Sequence, residues 1–505
     1  MKSLGFRNFR KFENLEPLEL GGVTFLVGEN NSGKSTFTKG ALLLGNFLKM
    51  ISGKLIEVDE MDPRKKEFSF RSPKFRHVYI DTFYQALYNQ TQNGVISFKA
   101  DIDDYVVVVN VVEPSAFIEE RKAVGSVTID DFMCYPEIRE NDPVYYRNQL
   151  DKDTAFVSSI ILDDKKRGVA FEIDYELSQI TVVIYDVDLK KVYDQLVADF
   201  KDGNFTEGSH DELLARINQI EQTYILRKFS ESLTVSKDSK IFFWKASDAD
   251  REMIDESICR IENLIKDYNI EHVYAHSVHQ LSLYSYNASV KNEDYVNQTI
   301  SRYFNLEVEC FTGKCQPKKH PHALVRRWMD LLNISGDFKI EPKYDHLIHG
   351  SEDSNLTVTM RDGDDEYALS TKGIGFIKLF TLLLRMAIIA SGNERLKTVV
   401  IEEPEQNLHP ALQSKLADLF YDIYRETGCQ IIVETHSEYI VRKSQVIVSE
   451  IGGCDENPFK VYYFPKDDAP YEMEYLPDGT FDASKSFGNG FYDEAATLHW
   501  QILNQ

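Results

Sequence analysis

A short segment near the start of the chain has the residue types and spacing of a phosphate-binding loop. The segment GENNSGKS, residues 28–35, fits G-x-x-x-x-G-K-[ST], follows the apolar segment GVTFLVG and precedes a helical pattern. Its glycines let backbone N–H groups turn toward a polyphosphate, and the following helix N-terminus favours negative charge. We expect Lys34 to neutralise the β- and γ-phosphates of a nucleotide and Ser35 to ligate Mg²⁺. The other expected contacts are Gly28, Asn30, Asn31, Ser32, Gly33 and Thr36.

Two adjacent acids follow a second apolar segment, in VVIEEPEQNLHP, residues 399–410. Side chains alternate along a strand, so neighbouring acids at its end point to opposite sides and must have different roles. We expect Glu402 to hold Mg²⁺ through water and Glu403 to polarise the attacking water as general base. The alternative is an exposed acidic turn that closes a core strand.

Two further segments offer groups to a phosphate. In VETHS, His436 directly follows a buried strand and is expected to sense or hold the γ-phosphate. In ALSTKGIGFIKL, residues 368–379, a hydroxyl, a charge and an N–H at a helix N-terminus come from Ser370, Lys372 and Gly373. The alternatives are a structural role for the histidine and ordinary helix capping by the second segment.

Strands that alternate with helices must position these groups. The segments GVTFLVG, KTVVIEEPE and CQIIVETHS have the composition of strands buried on both faces. The segment PALQSKLADLFYDIYRETG is predicted to be a helix with Pro410 in its first turn and Gly428 just past its end. The helix after the phosphate loop is predicted to bury Phe37, Ala41, Leu44 and Leu48. This alternation predicts an α/β fold with a parallel sheet.

The predicted sheet combines residues 1–50 with residues 395–440, so the intervening chain is expected to be an insertion. From about residue 79 to residue 195 the pattern alternates and predicts antiparallel strands. Residues 206–270 have helical periodicity, beginning with EGSHDELLARINQIEQTYILRKF and its N-cap Ser209. We therefore predict a lobe with the phosphate loop and an antiparallel β subdomain (1–200), a mainly helical insertion (201–330) and a second lobe (331–505).

Composition and charge exclude several classes of protein. A formal net charge of −24 argues against a surface that is basic throughout. Basic stretches at residues 62–79 and 314–327 are candidates for contact with phosphate backbones, or are solvated loops. The apolar segment 375–391 is interrupted by Lys378 and Arg385, which favours a core helix over a membrane span. Scattered cysteines and the lack of a secretory pattern predict a reduced, cytoplasmic protein.

Two groups of histidines and cysteines have metal-ligand chemistry without suitable spacing. The first group is Cys310, Cys315, His320 and His322, whose spacing is poor for zinc. The second group is His272, His276 and His279, for which packing in a strand or helix near a dimer seam is expected instead.

The order of the motifs resembles that of the ABC-type ATPases of the RecF, SMC and OLD group. In that group, as here, a phosphate loop is followed by a Ser/Gly signature, then IEEPExxLHP, then THS. The chain most resembles the compact bacterial ATPases of antiphage systems such as Septu, PARIS and retron-linked relatives. The resemblance implies an ABC-type ATPase head: a P-loop NTPase with a mixed parallel sheet and helices, an antiparallel β subdomain and a short helical insertion.

The resemblance also implies how the site works. ATP and Mg²⁺ would be the cofactors, and two heads would sandwich the ATP in a homodimer or higher homo-oligomer. Ser370 and Gly373 would complete the site of the other copy. Asn407 and Leu408 would lie in the D-loop, and His436 would be the switch histidine.

The chain departs from this group at several points. Most signatures are similar to LSGGQ, whereas this chain has LSTKG, with Lys372 where a small residue is usual. The chain after His436 is too short for the Toprim nuclease of the OLD proteins, so a nuclease or toxin is expected to be a separate effector protein. Candidates for the Q-loop glutamine and the adenine-stacking ring are Gln85, Gln90, Gln92, Phe9 and Phe12.

Three hypotheses about function follow. The first is an ATP-hydrolysing sensor or scaffold in bacterial antiphage defence that controls a separate effector. The second is a DNA-repair ATPase of the RecF or SMC kind that binds DNA directly and without sequence preference. The third is an ATP-gated scaffold with little turnover.

Overall fold

The computed structural model describes the chain in ranges that are separated by gaps. These are residues 1–52, 67–70, 78, 80, 82–88, 94–112, 154–175, 177–201, 210–233, 243–273, 286–287, 295–317, 319–343, 355–391, 397–451, 457–488, 491–492 and 500. Contacts divide the chain into two compact units. Unit 1 contains residues 1–19 and 39–268, and unit 2 contains residues 20–38 and 269–505.

The described ranges contain both strands and helices. The strands are β1 (Ser3–Phe9), β2 (Phe12–Glu19), β3 (Val23–Gly28), β4 (Glu67–Ser69), β5 (Ile96–Ile102), β6 (Tyr105–Val112), β7 (Thr154–Asp164), β8 (Val169–Asp174), β9 (Gln179–Tyr185), β10 (Ile225–Ser232), β11 (Ile270–Val273), β12 (Tyr286–Asn287), β13 (Asp337–Lys343), β14 (Asn355–Asp362), β15 (Asp365–Ala368), β16 (Thr398–Glu402), β17 (Gln430–Glu434), β18 (Phe459–Phe464) and β19 (Tyr471–Glu472). The helices are α1 (Lys34–Ile51), α2 (Phe83–Ala86), α3 (Val187–Lys201), α4 (His210–Tyr224), α5 (Asp248–Asp267), α6 (Tyr295–Phe311), α7 (Pro321–Leu331), α8 (Ile374–Ala390), α9 (Pro410–Thr427) and α10 (Glu438–Glu450).

Unit 1 is built around an antiparallel sheet of nine strands within the described ranges. Eight strands follow the order β10-β9-β8-β7-β6-β5-β1-β2, and β4 pairs with β7. The alternating sequence explains the sheet, because Ile96, Phe98, Ala100 and Ile102 of β5 are buried while the residues between them are more accessible. The antiparallel strands that the alternation predicts are therefore present.

Two elements of unit 1 differ from the sequence-based expectation. The predicted strand region extended to residue 195, but α3 begins at Val187, where the Asp186 carboxylate accepts from the N–H groups of Asp188 and Leu189. The segment ILRKF was expected to be helical but lies in β10, because it pairs with β9 from Ile225 onward. Ser209, the expected N-cap of the helical segment, lies outside the described residues.

Unit 2 contains a six-stranded sheet among its described residues, in the order β11-β16-β17-β3-β18-β19. All pairs are parallel except β18 with β19. The three apolar segments expected in one sheet are β3, β16 and β17, so the predicted α/β fold is confirmed. Strand β18 joins this sheet as the parallel neighbour of β3 and pairs on its other side with β19.

Helices cover the hydrophobic core of unit 2. Helix α9 has Pro410 in its first turn and ends at Gly428, whose φ of 65° is a conformation that glycine adopts without strain. Helix α8 is buried along most of its length, and its Arg385 forms an ion pair with Glu271 of β11. Among the described residues, no helix combines the length and apolar character needed to cross a membrane.

The two units do not follow the three predicted segments. The boundary between the units falls inside α1, after Thr38, and again after Tyr268. The proposed insertion over residues 201–330 is divided between the units, because β10 pairs with β9 of unit 1 whereas β11 pairs with β16 of unit 2. Strand pairing between distant segments therefore determines the division.

Candidate nucleotide-binding site

The phosphate loop connects the end of β3 to the first turn of α1 in unit 2. Glycine is required at residue 28, because its φ is 142° and a Cβ there would lie 2.2 Å from the Phe464 carbonyl oxygen. Gly33 has a φ of 112°, and Asn31 has a φ of 59°. These turns place the loop at the carboxyl edge of a parallel sheet, where ligands of α/β proteins bind.

The Lys34 side chain lies against the backbone of the phosphate loop. Its Nζ atom donates to the carbonyl oxygens of Gly28 at 2.9 Å and Glu29 at 2.6 Å, and the residue is 3% exposed. The neighbouring Ser32 is 2% exposed, and its Oγ atom has no hydrogen-bond partner among the described residues. A buried ammonium and a buried hydroxyl at a helix N-terminus are groups that a phosphate can accept from.

Ser35 contacts Glu434, an acid to which the sequence motifs assign no role. The Ser35 hydroxyl donates to Glu434 Oε1 at 2.6 Å, across 399 residues of sequence. Glu434 is the last residue of β17, and it is paired in register with Glu402 at the end of β16. The pKa of Glu434 is raised to about 7, mainly by burial and also by the Glu402 charge, while the Ser35 hydrogen bond opposes the shift.

Glu402 has partners of its own. Its Oε1 atom accepts from the Thr38 hydroxyl at 3.3 Å, one turn into α1, and lies 3.3 Å from Nε2 of His272. His272 belongs to β11, the strand next to β16, and its side chain is 3% exposed. The expected packing of His272 in a strand is therefore observed, whereas His276 and His279 lie outside the described residues.

Glu403 is held in an unusual conformation directly after β16. Its φ is 45°, and its N–H donates to the Glu434 carbonyl oxygen at 2.8 Å. Its Oε2 atom accepts from Gln406 Nε2 at 3.2 Å, and Gln406 Oε1 accepts in turn from Lys378 of α8. A left-handed residue costs free energy, so such residues persist where surrounding contacts hold them, often at functional sites.

His436 and Glu405 form another contact at the same edge. The backbone N–H of His436 donates to Glu405 Oε1 at 2.7 Å, which connects the turn after β17 to the turn after β16. Desolvation lowers the pKa of the His436 ring, as does the positive charge of Lys34, while the Glu403 charge opposes them. The ring is therefore predominantly neutral at neutral pH and has one nitrogen available to accept a proton.

The signature segment lies at the N-terminus of α8. Ser370 belongs to a single 3-10 turn (Leu369–Thr371), and its buried Oγ has no partner within the described part of the chain. The Lys372 ammonium lies 4.0 Å from the Tyr367 ring centroid. Gly373 precedes the first residue of α8 and is exposed. The departure from LSGGQ therefore adds a cation that is held over an aromatic ring.

The expected D-loop packs against this helix. Asn407 has a φ of 62°, and its carbonyl oxygen would lie 2.3 Å from a Cβ atom at Gly375. Glycine in the first turn of α8 thus allows the backbone after Glu403 to approach the signature helix closely.

Several other candidates lie elsewhere. Phe9 and Phe12 belong to the buried core of unit 1, with exposures of 0% and 8%. Gln85 is an exposed residue of α2, also in unit 1, whereas Gln90, Gln92 and the lysines and arginines of the basic stretch 62–79 lie outside the described residues. No cluster of potential metal ligands built from three or more His, Cys, Asp or Glu residues occurs in the described ranges, including around Cys310 and Cys315.

The donor set fits a magnesium ion. The Ser35 hydroxyl and the Glu402 and Glu434 carboxylates supply oxygen atoms, which Mg²⁺ prefers. Glu434 is 5% exposed, and its Oε2 atom has no hydrogen-bond partner among the described residues. An orphaned, buried carboxylate oxygen beside a serine hydroxyl is the chemistry that a hard cation satisfies.

These features define an α/β protein whose phosphate loop and acids meet at the carboxyl edge of a parallel sheet, as in P-loop nucleotide-binding proteins. Residues 1–441 match the family model described as AAA ATPase domain, so the chain belongs to this family and is, at this general level, an ATPase. No curated protein matches the sequence.

The chain is similar to solved SMC heads. One is the SmcHead bound to the C-winged helix domain of ScpA, at 10% identity over 95% of each chain, with a TM-score of 0.36. A second is the Smc head with an extended coiled coil bound to the C-terminal domain of ScpA, derived from Pyrococcus furiosus; identity is 12% over 100% of this chain and 99% of that chain, with a TM-score of 0.33. A third is the SMC head domain from Thermotoga maritima, at 10% identity over 94% of this chain and 98% of that chain, with a TM-score of 0.32.

Proposed function

We propose that the chain is a cytoplasmic ABC-type ATPase head that closes on ATP with a second copy of itself. In this proposal the closed dimer controls a separate effector, such as a nuclease or toxin, in bacterial antiphage defence. The observation that carries the ATPase assignment is the convergence of Lys34, Ser35, Glu402, Glu403 and His436 at one sheet edge of unit 2. The defence role rests on the resemblance of the motif order.

Each residue of the candidate site in unit 2 has its own role in ATP hydrolysis. Lys34 and the N–H groups of the phosphate loop neutralise the β- and γ-phosphates of ATP. Bound Mg²⁺ would supply positive charge to the phosphate oxygens, held by Ser35 and the carboxylate of Glu402. Glu403 accepts a proton from the attacking water as the new P–O bond forms and the bond to ADP breaks. The neutral His436 ring donates a hydrogen bond to the γ-phosphate.

The second half of the site comes from the other copy in this proposal. Gly373 is exposed, and Ile374 beside it is 50% exposed, at the N-terminus of a helix that is otherwise buried. Such a helix end offers N–H groups to an anion. Ser370 and Gly373 would contact the γ-phosphate in trans, with Lys372 adding charge and Asn407 contributing from the D-loop.

Several basic residues of the stretch 314–327 are paired with acids, which argues against this stretch as a DNA-binding surface. Arg327 pairs with Asp422 and with Glu426, the latter at 2.9 Å. Lys319 also pairs with Glu426, and Arg326 lies 3.3 Å from Asp337. Basic groups that are neutralised by neighbouring acids have little charge left for phosphate backbones.

Light scattering with ATP and Mg²⁺ tests the dimer. We expect Glu403→Gln to accumulate a dimer with trapped ATP, because the phosphate contacts remain while the general base is lost. Lys34→Ala should keep the oligomeric state that the protein has without nucleotide. The variant Glu472→Gln, at a half-buried acid of β19 paired with Lys460, is the matched control and should resemble the wild type. Hydrolysis by Glu403→Gln at the wild-type rate would exclude this residue as the general base.

Phage challenge of bacteria that express the chain with its neighbouring genes tests the defence role. We expect protection that Lys34→Ala abolishes. Salt-dependent DNA binding that survives Lys34→Ala, together with sensitivity to DNA damage rather than to phage, would instead establish the repair function.

A further inference from the structure

Glu434 is an acid of the candidate site to which the sequence motifs assign no role. It ends β17, two residues before His436, and is 5% exposed. Its Oε1 atom accepts a hydrogen bond from the Ser35 hydroxyl at 2.6 Å. Its Oε2 atom is buried and has no hydrogen-bond partner among the residues that the structure describes. One carboxylate oxygen is therefore engaged by the expected magnesium ligand, and the other remains to be satisfied.

The sheet places Glu434 beside the acid that the motif does predict. Residues paired in register on parallel strands project to the same face, and Glu434 is paired in this way with Glu402. On its other side β17 pairs with β3, with Glu434 in register with Leu26, two residues before the phosphate loop. Glu434 thus stands between the strand that ends in Glu402 and the strand that leads into the loop.

Contacts within this group distinguish the two acids. Glu402 Oε1 accepts from Thr38 and lies close to His272, whereas the hydroxyl of Ser35 is bonded to Glu434. A buried carboxylate that lacks partners is unfavourable, since a charged group loses its hydration and gains nothing in return. A role confined to orienting Ser35 would use only one of the two oxygens of Glu434. The second oxygen therefore calls for a cationic ligand.

We propose that Glu434 is a ligand of the magnesium ion that accompanies ATP, through its Oε2 atom, while its Oε1 atom orients the hydroxyl of Ser35. The inference rests on the proposed ATP site and adds a residue to it. Mg²⁺ takes oxygen ligands in an octahedral arrangement and usually keeps several waters, so one additional carboxylate is compatible with its coordination.

Binding of Mn²⁺, a spectroscopic substitute for Mg²⁺, tests the proposal without relying on hydrolysis. Full-length protein is titrated with Mn²⁺ in the presence of a non-hydrolysable ATP analogue, and free Mn²⁺ is followed by electron paramagnetic resonance. Nucleotide affinity is measured separately in EDTA with a fluorescent analogue. We expect Glu434→Gln to weaken Mn²⁺ binding by about tenfold or more, as loss of a metal-site partner does elsewhere. Nucleotide affinity in EDTA should be unchanged.

The choice of glutamine separates a metal ligand from a residue that only positions Ser35. Glutamine retains an oxygen that accepts the Ser35 hydroxyl but has lost the charge of the carboxylate. Unchanged Mn²⁺ affinity in Glu434→Gln would therefore overturn the proposal. Glu434→Asp, which keeps the charge, should bind Mn²⁺ more tightly than Glu434→Gln; the reverse order would also overturn it. A thermal melt in EDTA verifies that each variant is folded, and Glu472→Gln is the carboxylate-to-amide control.

If the proposed ATP site itself is wrong, the measurements give a different result. If the wild type binds no nucleotide, or if Lys34→Ala binds it as tightly as the wild type, the ATP site itself is refuted and the metal ligand with it. If the wild type binds nucleotide and Mn²⁺ and only the effect of Glu434→Gln is missing, the ATP site stands and the inference about Glu434 is wrong.

Discussion

Replacement of Gly375 by alanine introduces a methyl group at the closest approach between α8 and the expected D-loop. The ideal Cβ position lies 2.3 Å from the carbonyl oxygen of Asn407, 2.8 Å from its carbonyl carbon and 3.1 Å from Leu408 Cδ2. Unstrained contacts between carbon and a carbonyl oxygen are about 3.3 Å or longer. The helix and the D-loop must therefore separate by roughly 1 Å in the variant.

Two opposing effects determine the stability of Gly375→Ala. Alanine is favoured over glycine in a helix by up to about 1 kcal/mol. Overpacking of a well-packed contact costs about 1–3 kcal/mol, and here the obstacle is backbone rather than a flexible side chain. We expect the clash to prevail, so the variant should be less stable. Since Glu403 and Asn407 share one turn, a shift of this size should also lower the hydrolysis rate by about 100-fold.

Urea denaturation and steady-state ATP hydrolysis measure these two effects. The control for the stability measurement is Gly373→Ala, because a Cβ atom there meets nothing within 4 Å and the residue has a φ of −64°. Its stability should remain within about 0.5 kcal/mol of the wild type. If Gly375→Ala unfolds at the same urea concentration as the wild type and hydrolyses ATP at the same rate, the proposed close packing between signature helix and D-loop is wrong.

Three further predictions follow from the contacts of unit 2. In EDTA, the wild type should lose stability as the pH rises from about 4.5 to about 7, because burial raises the pKa of Glu434 to about 7 and its ionised form is the disfavoured one. Glu434→Gln lacks this loss and should be more stable by about 3 kcal/mol at pH 8, with no such advantage below pH 4.5; equal pH profiles in urea denaturation would contradict the assignment. Gln406→Leu removes the side chain that links Lys378 to Glu403. The hydrolysis rate should fall by about 10-fold or more while the nucleotide affinity is unchanged. A lowered affinity with a normal hydrolysis rate would show that Gln406 acts on binding instead. Arg385→Met leaves the partly buried Glu271 without its ion-pair partner and should cost about 3 kcal/mol in urea denaturation. Adding Glu271→Gln to this variant should restore part of the lost stability, and an Arg385→Met protein as stable as the wild type would contradict the contribution of the pair.

Short-range patterns predicted the elements of the site well. The phosphate loop is recognisable because its chemistry depends on neighbours in sequence: glycines for the turns, then Lys34 and Ser35 at the start of a helix. The capping of α9 by Pro410 and Gly428 is local in the same sense, since it depends on the backbone of single residues. The helix α3 also has a local signal, the N-cap Asp186, which the alternating pattern before it obscured.

Other features depend on pairing between distant segments. ILRKF continues the periodicity of the preceding helix, and only its hydrogen bonds with β9 make it a strand. Glu434 is an unremarkable acid in VETHS until β17 is aligned between β16 and β3, which brings it to Ser35.

The amino-acid sequence by itself therefore determined that this chain has a phosphate loop, a pair of acids after a core strand and a histidine after the next one. Each of these depends on residue type and local backbone geometry. Which side chains contact one another, with Glu434 at Ser35 and His272 at Glu402, was decided by the tertiary structure. The reason is physical: strand register and helix packing bring together groups that are separated by hundreds of residues, and no local pattern specifies that register.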